Sequence, residues 1–422
     1  MNILLKSVTI VDTMSPHHTK KRDILITNGI FEKIAPKIEN PNHRKEINLD
    51  NLHISQGWFD SSVSFGEPGF EERETIQNGL KTAAWGGFTA VAVNANTNPV
   101  IDSKADIQYI TSKASNNAVS LYPIGALTSN GNGVDLAELF DMKNAGAVAF
   151  YDYQKQIKNP NLLKIALQYA QDFDALVIAF SQENDIATNG VINEEESSTK
   201  LGLKGIAALA EEIDINRNIF IVEYTGGKLH IPTISTKKSV SLLREAKSKG
   251  LDITCSVSIN NLILTDDALL DFNSNLKVLP PLRTKEDIKA LINGLKDGTI
   301  DAVTSDHNPI DIEHKKIEFD HAMFGSIGLE SCFGALNSIF TTEETVTFLN
   351  RLKGRFSVPF TPIKEGETAN ITLFNPEKEW IFKKNDILSP SKNAALLGCN
   401  LKGKVYGIYA NKKLILHKKN NA

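Results

Sequence analysis

The side chains best able to do chemistry in this sequence fall within the ends of short apolar runs or just beyond them. They are Asp60, Ser62 and Ser64; Asn94 and Asn96; Asp152; Ser181; Ser256 and Ser258; and Asp306 beside His307. Carboxylates can act as general bases or hold a hard cation such as Mg²⁺ through oxygen ligands. Asp60, Asp152 and Asp306 are therefore the candidates for such a site. Their plainer role is to accept hydrogen bonds from nearby backbone and hydroxyl groups. Other chemistries find less support. The nine histidines (17, 18, 43, 53, 230, 307, 314, 321 and 417) include no His-x-His or His-x-x-His pair, the spacings that would place two imidazoles together on zinc. Cys255 has no histidine in a pattern that would activate it and reads as a small core residue. Gly226-Gly227-Lys228 lacks the full spacing of a phosphate loop. His307 and Asp306 are adjacent on a strand and so face opposite sides. His230 reads as packing or capping a loop. Glu194–Glu196 reads as a solvated acidic run at a helix start.

Something must position these groups, and the pattern of the middle of the chain suggests what. Short apolar runs occur at Gly57–Phe65, Phe88–Val93, Ser120–Ile124, Ala147–Tyr151, Ala175–Phe180, Ile219–Tyr224, Asp252–Val257 and Ile300–Thr304. Between most of them lie stretches with helical spacing: Asp102–Ala114, Leu136–Asn144, Leu162–Asp172, Leu203–Ile213, Ser239–Lys249 and Lys285–Lys296. Alternation of this kind predicts parallel strands with helical crossovers, and eight units predict a closed (β/α)8 TIM-type barrel. In such a barrel the functional groups sit at the C-terminal strand ends, which is where the polar residues fall, Thr225 among them at the expected end of the sixth strand. The two chain ends differ in style. Ile3–Leu5, Val8–Val11, Ile24–Ile26 and Ile30–Ile34 at one end, with Asn370–Phe374, Trp380–Phe382 and Val405–Tyr409 at the other, read as strands. The expected organisation is a composite β-sandwich domain of residues 1–55 plus 365–422 around a barrel of 56–364. No repeat or low-complexity linker is visible.

Composition narrows the class. At 422 residues with 41% hydrophobic residues, the chain can bury a large core. A net charge of −4 gives no electrostatic case for nucleic acid or a membrane surface. The basic Lys412, Lys413, Lys418 and Lys419 read as a solvated strand end and tail. Three widely spaced cysteines, Cys255, Cys332 and Cys399, form no CxxC unit and suit a reducing cytoplasm. The first residues read as a strand rather than a signal peptide, and no apolar run is long enough to span a bilayer.

Local motifs are more specific. In order they are Gln56-Gly57-Trp58-Phe59-Asp60, Glu67-Pro68-Gly69-Phe70-Glu71 with Glu74-Thr75, Trp85-Gly86-Gly87-Phe88-Thr89, Asn96-Thr97-Asn98-Pro99, Asn189 to Glu194 with Leu201-Gly202-Leu203, Tyr224 to His230, Pro280-Pro281-Leu282-Arg283, Ser305-Asp306-His307, Phe324 to Glu330, and Ser391-Lys392 through Gly403. Along nearly its whole length the chain resembles the dihydroorotase family of the amidohydrolase superfamily. That resemblance implies a metal-dependent hydrolase fold in which one or two zinc ions activate water to open a cyclic amide. It also implies where the ligands would stand. The first-strand His-x-His pair corresponds to Ser62 and Ser64, the fifth-strand histidine to Phe180, and the sixth-strand histidine to Thr233. Asp60, Asp152 (a bridging ligand in the family) and Asp306 (ligand and general base) keep their carboxylates. Among substrate contacts, Asn96 persists. The arginine for the substrate carboxylate is replaced by Gly66, an asparagine by Leu279, and a loop histidine by Ile310.

The resemblance thus implies a dihydroorotase-like protein of pyrimidine biosynthesis without its imidazole ligands. The expectation is a non-catalytic homologue with no metal cofactor, Asp306 and Asn96 being vestigial. Some inactive relatives serve as structural partners of aspartate carbamoyltransferase, which makes that enzyme the implied partner, and an isologous homodimer the implied assembly. Two alternatives stand beside it. One is an active cyclic amide or ureide hydrolase with an unusual metal held by Asp60, Asp152 and Asp306. The other is a small-molecule binding protein using a pocket made more apolar, and partly filled, by Phe180, Leu279 and Ile310.

Overall fold

A computed structural model describes residues 2–41 and 43–417; Lys418 and Lys419 of the basic tail lie outside them. The middle of the chain forms a parallel barrel. Its strands are β1 (Trp58–Val63), β2 (Phe88–Val93), β3 (Ser120–Gly125), β4 (Ala149–Phe150), β5 (Leu176–Ile178), β6 (Leu229–Ile231), β7 (Ile253–Ser258) and β8 (Ala302–Thr304). They are hydrogen-bonded in sequence order. The ring closes where Ser64 N–H donates to the His307 carbonyl at 2.7 Å and Val63 bridges His307 in parallel. Every residue of β2, Phe-Thr-Ala-Val-Ala-Val, is buried, as a parallel strand covered on both faces demands.

Crossover helices cover the outside: α1 (Ile76–Gly86), α2 (Lys104–Lys113), α3 (Leu139–Ala145), α4 (Pro160–Gln171), α5 (Ala208–Thr225), α6 (Lys237–Ser248) and α7 (Lys285–Lys296). Their ends are written in the sequence. Ser103 and Asp106 form a reciprocal capping box on α2, and Thr284 and Asp287 form one on α7. Helix α1 starts at the Thr75 cap and stops at Gly87, whose φ of 92° is left-handed. A Cβ at Gly87 would lie 2.5 Å from the Trp58 ring, so only glycine lets the helix turn this closely into β2.

One expected strand is corrected. Ile219–Tyr224 is the C-terminal third of α5, and the sixth strand is Leu229–Ile231. The β-branched run Ile-Phe-Ile-Val reads locally as a strand. Tertiary packing decides otherwise: Ile215, Ile219 and Val222 recur at helical spacing and are buried, while Phe220 and Tyr224 are 61% and 75% exposed. Thr225 accordingly ends a helix and is not at the barrel mouth. The β8 and β7 strands, by contrast, lie within a residue or two of their expected positions.

The chain ends meet in one eight-stranded sheet. Strands Asn2–Val11, Lys21–Thr27, Ile30–Ala35, Lys45–Ile47 and His53–Gln56 come from the N-terminal side, and Ile371–Ile381, Asn400–Ala410 and Lys413–Leu416 from the C-terminal side. The seam is the antiparallel pairing of Ile371–Phe374 with His53–Gln56. This sheet has its own apolar cluster, which includes Ile3, Ile10, Ile54, Leu373 and Tyr409. The joint to the barrel is aromatic: Trp58 of β1 stacks on Phe333 at 4.5 Å and lies 5.6 Å from Phe374 of the sheet. Among the described residues no helix is long and apolar enough to cross a membrane.

Candidate functional site

At the C-terminal end of β1 the chain places Asp60, Ser62 and Ser64, all buried. Asp60 Oδ1 accepts from the Thr304 hydroxyl and, at 3.1 Å, from Ser62 N–H; its Oδ2 accepts from Ser305 N–H at 2.9 Å. Burial pushes its pKa up against these bonds, which pull it down. The two serine hydroxyls are gathered by one amide: Asn94 Nδ2 donates to Ser62 Oγ at 3.2 Å and to Ser64 Oγ at 3.3 Å. Ser62 Oγ in turn donates to Asp306 Oδ1 at 3.3 Å.

Asp306 leaves β8 in the left-handed region, φ 46°, a conformation Asp tolerates better than most residues. The Tyr153 phenol donates to its Oδ1 at 3.4 Å. Full burial, and then the nearby Asp60 carboxylate, push the Asp306 pKa up to about 7. Asp152 faces elsewhere. Its Oδ1 accepts from Leu127 N–H at 2.9 Å and Thr128 N–H at 3.0 Å, and its Oδ2 from the Thr128 hydroxyl. The structure therefore brings Asp60, Ser62, Ser64, Asn94 and Asp306 into one hydrogen-bonded group and leaves Asp152 in a separate one, where it pins the loop after β3.

The remaining expected positions are apolar or remote. Phe180, just past β5, is buried in the barrel-interior cluster with Tyr151, Phe59 and Phe356, against which Leu279 and Tyr153 pack. Thr233 is buried past β6 with φ 48°, its N–H donating to Ser256 Oγ at 3.4 Å. Gly66 has no room for any side chain: a Cβ there would lie 1.8 Å from the Phe70 carbonyl oxygen. The loop closes on it, with Phe70 N–H donating to the Gly66 carbonyl at 2.7 Å and Gly66 N–H to the Glu74 carbonyl at 2.8 Å.

The two histidines at or next to barrel strands are engaged in the framework. His230 lies within β6 rather than in a loop. Its ring nitrogens meet Thr254 Oγ1 at 3.0 Å and Ser256 Oγ at 3.2 Å, and burial pushes its pKa down to about 3. His307 Nε2 meets Glu74 Oε2 at 2.7 Å, both side chains fully buried, while its Nδ1 accepts from Gly328 N–H at 3.2 Å. Cys255 is wholly buried, which pushes its thiol pKa up. Among the described residues no three His, Cys, Asp or Glu side chains are grouped as a metal site requires.

A cavity of about 470 Å³ opens at the barrel mouth. Tyr151, Asp152 and Tyr153 line one side, Asn96 and Asn308 another, and Phe70, Ile310 and Phe324 supply apolar wall. Because Tyr153 both lines this space and bonds Asp306, it stands between the cavity and the Asp60–Asp306 group. Phe180 and Leu279 thus pack into the barrel interior, and the mouth stays open with Ile310 as wall. Sequence reading missed the role of Tyr153; the available signal was a tyrosine one residue beyond a strand-end carboxylate. It also missed Asn308, which carries no motif.

A parallel eight-stranded barrel with polar groups at its strand ends, joined to a sheet built from both chain termini, is the class of fold that this site defines. Solved structures agree on the fold. The L-hydantoinase of Arthrobacter aurescens superposes with a TM-score of 0.85 at 18% identity, covering 99% of this chain and 96% of that one. The dihydropyrimidinase of Brevibacillus agri superposes with a TM-score of 0.84 at 19% identity over the same shares. A dihydro-orotase-like family model matches residues 53–239. The dihydroorotase of Thermoanaerobacter sp. is 39% identical over 412 residues, 96% of this chain and 95% of that protein. That of Geotalea daltonii is 37% identical over 412 residues, 96% of each. The chain belongs to the dihydroorotase family.

Proposed function

We propose that this chain is a dihydroorotase-family protein that has lost hydrolysis and keeps a structural or assembly role in pyrimidine biosynthesis. One observation carries the reading: where the family resemblance calls for four imidazoles, the chain holds Ser62, Ser64, Phe180 and Thr233, and two of the three surviving carboxylates, Asp60 and Asp152, are already committed to protein donors. Asp60 accepts three hydrogen bonds and Asp152 another three. Phenylalanine offers zinc nothing, and serine and threonine hydroxyls are weak neutral ligands compared with imidazole. These residues do not fit a zinc pair. Substrate recognition has gone the same way, since the Gly66 loop excludes the arginine that would bind the substrate carboxylate.

In this reading the protein is cytoplasmic, consistent with three free cysteines, and works through partners. Aspartate carbamoyltransferase is the partner the resemblance suggests, and a second copy of the chain the default contact. Co-purification from the native host tests this. Recovery of a stoichiometric carbamoyltransferase chain supports the assembly role, and recovery of this chain alone counts against it.

The competing reading is an active cyclic amide hydrolase. Asp306, with a pKa near 7, is the feature in its favour, because a general base works best when its pKa lies near the working pH. Turnover of L-dihydroorotate or hydantoin by purified, metal-supplemented protein, abolished in Asp306→Asn, would establish it. The non-catalytic reading expects none.

A further inference from the structure

We propose that a second cavity, at the joint between the terminal sheet and the barrel, binds a small organic cation: a protonated amine or amidine carried on an apolar body. The inference goes beyond the reading above and does not depend on whether the barrel mouth is catalytic. The cavity has a volume of about 410 Å³, within the range of small-molecule sites, about 300–1,000 Å³, which favour domain joints. Gln56 ends the sheet strand His53–Gln56 just before β1 begins at Trp58. The cavity therefore lies at the opposite end of β1 from Ser62 and Ser64. Val11 and Asp12, where the strand Asn2–Val11 ends, form one wall with Gln56; the helix Thr342–Phe348 and the turn after it form the other.

Two carboxamides, one on each wall, leave an acceptor unused. Gln56 is 4% exposed and Asn350 7%, and neither Gln56 Oε1 nor Asn350 Oδ1 has a hydrogen-bond partner among the described residues. Their donors are already spent. Gln56 Nε2 donates to Asp12 Oδ1 at 3.0 Å, and Asn350 Nδ2 donates to the Val346 carbonyl at 2.8 Å. Turning either amide over would set its oxygen against the acceptor that its nitrogen now serves, so the network fixes which atom is which. What both side chains lack is a donor, and a buried acceptor left without one is costly.

The charges around them favour a cation. Buried Asp12 accepts from Met14 N–H and Gln56 Nε2 through Oδ1, each at 3.0 Å, and from Ile363 N–H through Oδ2 at 2.8 Å. Three donors leave part of a carboxylate's capacity, about four, open. Glu343 adds a second carboxylate at the rim. His18 faces it as a neutral ring: Nδ1 accepts from Asp12 N–H at 3.2 Å, so the ring proton sits on Nε2, 3.3 Å from Glu343 Oε1. Two nearby cations are engaged elsewhere. Arg351 Nη1 donates to the Leu295 carbonyl at 3.2 Å with its guanidinium 5.0 Å over the Phe348 ring, and Lys353 donates to the Gly57 carbonyl. Val11, Val346 and Phe360 supply apolar wall. Unpaired acceptors, two carboxylates and an apolar lining match a ligand that brings several N–H donors, a positive charge and a hydrocarbon body.

Calorimetric titration and thermal shift of the full chain test the assignment with four probes: benzamidine and phenethylamine as cations, benzamide as the neutral isostere of the first, and benzoate as an anion. At least one cation is expected to bind and to raise the melting temperature in a dose-dependent way. Benzamide is expected to bind at least about tenfold more weakly than benzamidine, and benzoate more weakly still. Thr347→Trp sets an indole at the half-buried rim of the cavity and is expected to abolish binding. Asn350→Ala removes one unpaired acceptor and is expected to lower affinity about tenfold. Glu343→Gln changes an exposed side chain that can still accept from His18, so it is expected to fold and to lower affinity about threefold. If Asn350→Ala does not fold, the other two variants carry the test. Tyr153→Phe, at the barrel mouth, is expected to leave binding unchanged. The proposal is overturned if neither cation binds at millimolar concentration, if benzamide binds as tightly as benzamidine, if Thr347→Trp binds like the parent, or if Tyr153→Phe abolishes binding and so places the ligand at the mouth.

Discussion

The Tyr153 phenol donates a hydrogen bond to Asp306 Oδ1 at 3.4 Å across the barrel mouth, and the same tyrosine lines the open cavity. A bulky neutral side chain thus stands over the carboxylate to which the family resemblance assigns chemistry. Buried with Asp60 beside it, that carboxyl has its pKa pushed up to about 7.

This gives a stability prediction with a defined sign. The Asp306 pKa rises from 3.8 in the unfolded chain to about 7 in the folded one. Between those values the folded state binds the extra proton, so the stabilisation is fully present below pH 4 and is lost as pH rises through 7. Asp306→Asn carries no proton to lose. Denaturant melts from pH 4 to pH 8 are expected to show the variant gaining on the parent until about pH 7 and then holding constant, by at most about 4 kcal/mol. A pH-independent difference would mean that the buried carboxyl is not perturbed.

Gly66 is the next test. The Phe70 carbonyl occupies the space of any side chain there. Gly66→Ala is expected to cost at least about 2 kcal/mol in unfolding melts, the scale of overpacking a tight site. Gly66→Arg is expected to be worse and to gain no affinity for L-dihydroorotate. A stable Gly66→Arg protein that binds dihydroorotate would show the substrate site to be one residue from function.

Arg283 belongs to the framework instead. Its Nη1 donates to Asn193 Oδ1 and the Ile206 carbonyl, both at 2.7 Å, and its Nε to Ser235 Oγ at 3.1 Å. Glu211, wholly engaged by Ser235, Thr236 and Ser239, completes the cluster. Arg283→Ala strands several buried acceptors and is expected to destabilise by about 3 kcal/mol or more. A loss under about 1 kcal/mol would mean that the loop holding Asn193 is not anchored through it.

The sequence exposed the architecture because a barrel leaves a strong trace. Apolar runs such as Phe88–Val93 recur between helical stretches, and caps such as Ser103 and Thr284 mark helix starts. The sixth strand escaped because β-branched Ile219 and Ile221 mimic a strand locally, and only packing against the barrel shows them to be helical. At the site, residue types put Ser62, Ser64, Phe180 and Thr233 where the family resemblance calls for imidazoles. They could not show where Asp152 points, which depends on the Thr128 loop 24 residues away. Nor could they show that Tyr153 would reach Asp306, a contact spanning 153 residues of chain.

The most direct test of the central claim is the metal content of protein expressed with added zinc and purified without chelators. The account predicts less than about a tenth of an equivalent per chain, because among the described residues no three His, Cys, Asp or Glu side chains are grouped as a metal site requires. One or two tightly held equivalents would contradict it and restore the hydrolase reading.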